Sequence, residues 1–181
     1  GVLMAAPVMV SRTKDSGDAS TATVTMPSGV AAGDLLMVFI GADSSSNEFA
    51  ASGWTRIAFG EAGTNGTAAF YKTAAGGDTC TITGIDNEPY AWLAARITGW
   101  SGAAPAVSSL ATGNNASPNP PSLNAGSAGE YLWLCFTSQD GGGTYSAYPS
   151  GYTGNSSGST ANVGVAWKTS TNQTEDPGTF T

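Results

Sequence analysis

Apolar and polar residues alternate over short stretches of this chain, and turn-forming residues separate the stretches. Residues 21–26 alternate with a period of two, as in a strand with one buried face. Residues 35–40 are apolar throughout, which predicts a strand that is covered on both faces. No stretch keeps a helical period, and glycine and β-branched residues are frequent. The pattern therefore predicts an all-β protein.

The pattern predicts seven strands in the first part of the chain and four in the second. Their spacing of roughly 8–12 residues favours an antiparallel β-sandwich of jelly-roll or Ig-like type. The predicted strands are residues 2–11, 20–26, 34–42, 54–60, 66–73, 78–83, 90–99, 129–138, 151–155, 161–169 and 178–181.

An internal repeat runs through the chain. Four short segments recur in the same order at a distance of 96 or 98 residues, which is too regular for chance. They are 33–40 against 129–136, 52–55 against 150–153, 70–73 against 166–169 and 81–83 against 179–181. The repeat predicts two similar halves, residues 1–102 and 103–181, that share one sandwich. Two Ig-like domains of about 95 residues are the alternative.

The second half lacks the counterpart of one strand. The first half continues past Thr83 into the strand at 90–99, whereas the printed sequence stops at Thr181, which aligns with Thr83. We expect the open position to be filled, since an unpaired strand edge promotes aggregation. A further stretch of the same polypeptide, a strand from a neighbouring protein or residues 2–10 could fill it.

Composition excludes several functional classes. The net charge is −7 with only six Lys and Arg, so we expect neither a nucleic-acid nor a membrane partner. The chain has no histidine, which removes the usual metal ligand and general base. Cys80 and Cys135 lie in apolar strand patterns and are expected to be buried thiols, although a disulfide stays open. We expect no enzyme, catalytic residues, bound metal or cofactor.

Two kinds of loop could still bind a ligand. Residues 43–48 and 86–88 are rich in oxygen donors that calcium accepts, but their spacing does not match an EF-hand, and turn capping explains them better. Tyr145, Tyr148 and Tyr152 lie in a glycine-rich loop where no strand pattern buries them. Loop tyrosines stack on sugars or on partner proteins, so these three are the candidate binding residues, with packing over the sandwich end as the alternative.

Four motifs give a family resemblance. Residues 27–36 read P-x-G-x-x-x-G-D-L-L, residues 53–55 read G-W-T, residues 70–72 are aromatic-aromatic-Lys, and residues 92–97 read W-L-A-A-R-I. This series resembles virion proteins of tailed bacteriophages and kindred bacterial surface modules. The resemblance implies a β-sandwich decoration, fibre or tail-associated module on the virion surface, or alternatively an extracellular one, and it implies no enzyme activity.

The resemblance also implies the partners. Other virion proteins and further copies of the same chain are expected, in a homo-oligomer bound to a larger assembly. The alternative function is a carbohydrate-binding surface module, in which the loop tyrosines would contact surface glycans.

Overall fold

Every regular element of the chain is a β-strand in the computed structural model, which describes residues 5–44 and 48–181. The strands are β1 (Val8–Val24), β2 (Leu35–Ala42), β3 (Ala50–Ala51), β4 (Thr55–Ala62), β5 (Asn65–Thr73), β6 (Cys80–Thr98), β7 (Leu123–Asn124), β8 (Tyr131–Asp140), β9 (Thr153–Gly158), β10 (Ala161–Ser170) and β11 (Thr174–Glu175). The prediction of an all-β chain is confirmed.

The strands form three antiparallel sheets. The largest has six strands in the order β1-β6-β2-β5-β4, with β3 paired to β6. The second has the order β8-β10-β9, and β7 pairs with β11 in the third. Strand β2 lies between β6 and β5 and is buried at all eight positions, as its unbroken apolar run predicts.

Two long strands replace four predicted ones. Predicted strands 2–11 and 20–26 are joined in β1, and 78–83 and 90–99 are joined in β6; residues 2–4 lie outside the described residues. The two strands pair side by side across a bend, where the register shifts between Ala19 and Thr21 and where Asp86 and Asn87 have positive φ values of 59° and 60°. The turn-forming residues there bend the pair of strands without ending it.

The predicted strand at 178–181 is absent. The backbone N–H of Phe180 donates to the carbonyl of Pro118 at 3.0 Å, and that of Thr181 donates to the carbonyl of Ala147 at 3.1 Å. These bonds hold the segment on both sides without the regular ladder of a strand. A strand donated beside 178–181 is therefore excluded, because that edge is already paired within the chain.

Three apolar clusters form the core of the described residues. The first covers one face of β2 and β5 with the bent ends of β1 and β6, around Phe70 and Ile82. The second lies between the six-stranded and three-stranded sheets, where Phe39 and Leu93 pack with Val165. The third covers the other face of β8 and β10. β2 and β10 thus contribute to two clusters each, which explains why all of β2 and the first six residues of β10 are buried.

Both cysteines are free and buried, as the sequence predicts. Cys80 belongs to the first cluster and Cys135 to the third, so they do not meet. Burial raises the pKa of each thiol to about 12, which keeps both protonated at neutral pH.

Candidate functional site

The three candidate tyrosines meet in the third cluster. The Tyr145 and Tyr148 rings make edge contacts with the ring of Phe180, at centroid distances of 5.3 and 5.9 Å. Phe180 is fully buried and Tyr145 is only 7 % exposed. The structure brings the predicted residues together, but it uses the Tyr145 ring mainly for packing. Burial accordingly raises the pKa of Tyr145 to about 12.

Two glycines make room for these rings. A Cβ atom on Gly154 would lie 2.0 Å from the Tyr148 ring, and one on Gly164 would lie 2.5 Å from the Tyr145 ring. The Tyr148 hydroxyl also donates to Ser156 Oγ at 3.1 Å. A glycine inside a strand marks a close approach of another group, so Gly154 and Gly164 were the sequence signal for this packing.

Tyr152 belongs to a charged cluster at the edge of the same face. Its hydroxyl donates to Glu175 Oε2 at 3.3 Å, and Lys168 Nζ lies 4.7 Å above its ring centroid and 2.6 Å from the same carboxylate. Burial and then the charge of Glu175 raise the pKa of Tyr152. Burial opposes ionisation of Glu175, but hydrogen bonds from Lys168 and Asn172 outweigh it and lower the pKa of that carboxyl. The Tyr152 hydroxyl and the Lys168 ammonium group thus both have the Glu175 carboxylate as their partner.

A similar ion pair lies on the first half. Lys72 Nζ is 2.8 Å from Asp78 Oδ1, and the Asp78 side chain is almost fully buried. The Lys72 hydrogen bond lowers the pKa of Asp78, and the N–H groups of Ala75 and Gly76 lower it further. Trp54 Nε1 donates to the carbonyl next to this carboxylate, at Thr79, at 3.0 Å.

A groove of about 1050 Å³ lies beside β8. One wall is the irregular segment 110–121, the other is residues 136–142, and the β4–β5 hairpin at 60–67 closes it. Glu61 and Asp140 line the groove, and no Lys or Arg does. None of the candidate residues chosen from the sequence lines this groove.

The acidic loops assemble no metal site in the part of the chain that the structure describes. Ser44 Oγ donates to Asp86 Oδ2 at 3.1 Å, so one loop closes on the other, while residues 45–47 lie outside the described residues. Within the same ranges no helix is long and apolar enough to cross a membrane.

Comparison with protein-family models, with curated proteins and with solved structures finds no match to this chain.

Proposed function

We propose that this chain is a structural module of a tailed-bacteriophage virion, a decoration, fibre or tail-associated protein that binds a larger assembly. One observation carries the proposal: its four family-like motifs lie on neighbouring strands. Residues 27–36 lead into β2, Gly53-Trp54-Thr55 leads into β4, residues 70–72 lie in β5 and residues 92–97 lie in β6. Because β6, β2, β5 and β4 are consecutive in the sheet, the motifs form one packed unit.

The motif residues have structural roles in that unit. Asp34, which ends the first motif's turn, lies 2.7 Å from Arg96 Nε of the last motif and accepts the Ala31 N–H at 2.9 Å. The Ala31 N–H and then the Arg96 guanidinium lower the pKa of Asp34. Gly33 has a φ of 92°, which favours glycine. Such motifs support a shared architecture and an architectural role, not a catalytic one.

We infer further that the fold is an antiparallel jelly-roll or Ig-like sandwich of two related halves. The strand order β2-β5-β4 of the first half matches β8-β10-β9 of the second, with the same chain order along each sheet. The turns before β4 and β9 also agree. Gly53 and Gly151 have φ values of 77° and 80°, and the N–H groups of Trp54 and Tyr152 each bond to the carbonyl three residues earlier.

The pairing of the strands supports the same relationship with a shift of one residue. Lys72 lies opposite Leu36, and Lys168 lies opposite Trp133. The lysines are 96 residues apart, but their partners are 97 apart. By strand pairing, each residue of β2 therefore corresponds to a residue of β8 that lies 97 positions later, whereas alignment of the two sequences gives 96. Ile82 lies opposite Ala22, and the matching Phe180 is bonded to Pro118.

The carbohydrate-binding alternative draws less support from the geometry. A sugar-binding platform needs an exposed ring face, and Tyr145 is buried against Phe180. Glycan binding by Tyr148 and Tyr152 stays a prediction.

Counting the chain in purified particles tests the assembly role. Virions from the source that encodes the chain would be purified over two density gradients, and its copies quantified against the major capsid and tail proteins with isotope-labelled peptides. We expect a fixed copy number that matches the symmetry of a shell or tail. Loss of the chain to the soluble fractions, or a ratio that varies between preparations, would overturn the proposal.

A further inference from the structure

We propose that the groove beside β8 accepts an extended segment of a partner polypeptide, which pairs antiparallel with β8 and carries a basic residue near its amino end. This mode of attachment deepens the proposed assembly role and rests on the relationship between the two halves.

In the first half, a strand occupies the position that corresponds to the groove. There β2 has β5 on one side and β6 on the other, and β6 lies between β2 and β1. In the second half β8 pairs with β10 on one side only. Residues 104–114 would correspond to the first part of β1, because Ala104-Pro105 repeats Ala6-Pro7. Residues 110–114 of this segment line the groove opposite β8, and the second part of β6 would lie between them.

The edge of β8 has unpaired backbone groups. Within the described residues, the only backbone partner strand of β8 is β10. The Gln139 N–H points toward β10, since it donates to Asn162 Oδ1 at 2.9 Å. N–H directions alternate along a strand, so those of residues 134, 136 and 138 point away from β10, and residues 136 and 138 line the groove. The ten residues of β8 include no Lys and no Pro, the residues that usually protect an edge.

The groove also specifies the chemistry of its occupant. Leu110 and Phe136 contribute apolar surface, which suits apolar side chains at alternate positions of an added strand. Glu61 and Asp140 lie at the carboxyl end of β8, with no basic residue in the lining. An antiparallel strand places its amino end there, so a Lys or Arg at that end is complementary.

A partner fits better than a second copy of this chain. The segment Tyr90 to Thr98 matches the apolar requirement, but it has no basic residue at its amino end, and it is held between β1 and β2 and cannot be lent to a neighbour. It does provide a probe, since it fills the corresponding position beside β2.

The test is hydrogen exchange of the full chain with a synthetic peptide. The peptide has the sequence of residues 89–99, with one Lys added at its amino end. We expect saturating peptide to slow amide exchange in residues 131–140 by roughly tenfold and to leave the β1 and β4 edges unchanged.

Two N-methylated peptides form the matched control. The Asp34 carbonyl accepts the N–H of Ala74 on the β5 side, so the backbone groups of odd-numbered β2 residues point to β6. Leu93 lies opposite Phe39, and Ala95 lies opposite Met37. Methylation of the peptide nitrogens of Leu93 and Ala95 should abolish binding. Methylation at Ala94 and Arg96 should preserve it.

Protein variants test the charge. The double variant E61Q/D140N should weaken binding of the Lys-bearing peptide about threefold, as for an exposed ion pair. Binding of the peptide without the added Lys should not change.

Four results would overturn the proposal: no protection of β8, protection at another edge, equal binding of both methylated peptides, or unaltered binding by the double variant. A chain whose β8 amides are already protected in a self-dimer would assign the groove to a second copy. A native mass above the 18.1 kDa of this sequence, with β8 protected, would assign it to the same polypeptide. Either finding would also overturn the proposal that a partner polypeptide occupies the groove. Peptide binding by a chain that is absent from virions would refute the virion role alone.

Discussion

At the scale of single residues, three buried or half-buried carboxylates make the fold sensitive to acid. Asp34, Asp78 and Glu175 each have a cationic partner, and the pKa of each carboxyl lies below its ordinary value of 3.8 or 4.5. A carboxyl with a lowered folded-state pKa stabilises the fold above the unfolded pKa and loses that contribution as pH falls.

We therefore predict a Tm that is nearly constant from about pH 7 to pH 5 and falls below about pH 4.5, where these carboxyls are protonated on unfolding. Calorimetry across this range measures it. The Asp78→Asn variant should have a shallower fall, because one proton fewer is taken up. A Tm that rises in acid, or a slope that Asp78→Asn leaves unaltered, would contradict the assigned ion pairs.

A second residue-scale prediction concerns Tyr145. Its ring packs on Phe180 in the third cluster, so Tyr145→Ala should lower the free energy of unfolding by about 3–5 kcal/mol, as for other buried aromatic truncations. Tyr145→Phe keeps the ring and is the matched control, with an expected loss below about 1.5 kcal/mol. Urea denaturation measures both. If Tyr145→Ala unfolds like the parent, the ring is not a packing residue and is available to a ligand.

At the scale of elements, a glycine in β9 tests how closely the tyrosine loop lies on the sheet. A Cβ at Gly154 would meet the Tyr148 ring at 2.0 Å, so Gly154→Ala should displace the ring and cost about 1–3 kcal/mol. Gly113 has open space around its Cβ position and no positive φ, so Gly113→Ala is the control with little expected effect. Equal stabilities of the two variants by urea denaturation would refute the close contact.

The sequence predicted the elements well where the signal was local. The apolar run of β2 lies where the pattern placed it, and the turn at Gly53 lies where the family resemblance implies it. The pattern was wrong at residues 84–89, which read as a loop, because pairing with β1 carries β6 through the bend. That pairing joins residues more than 60 positions apart, and no local signal encodes it.

The candidate site shows the same limit. Burial of Tyr145 depends on its contact with Phe180, which lies 35 positions later in the sequence. The repeat predicts an open position beside 178–181, but that segment is bonded on both sides, whereas β8 has a paired strand on one side only within the described residues.

At the scale of the whole molecule, the second cluster joins the two halves. Phe39 and Leu93 of the first half pack with Val165 of the second, so neither half can unfold without exposing this shared surface. We predict one cooperative thermal transition, with equal calorimetric and van't Hoff enthalpies. Two resolved transitions would favour the two-domain alternative over a shared sandwich.

We propose that the chain is a virion component attached through the open edge of β8 in its second half. Cryo-electron microscopy of purified particles, at a resolution that separates strands, tests it most directly. The expected map contains this chain at a symmetry-defined position, with a strand from a neighbouring protein alongside residues 131–140. A particle in which the chain is present but β8 faces solvent, or a particle without the chain, would contradict the claim.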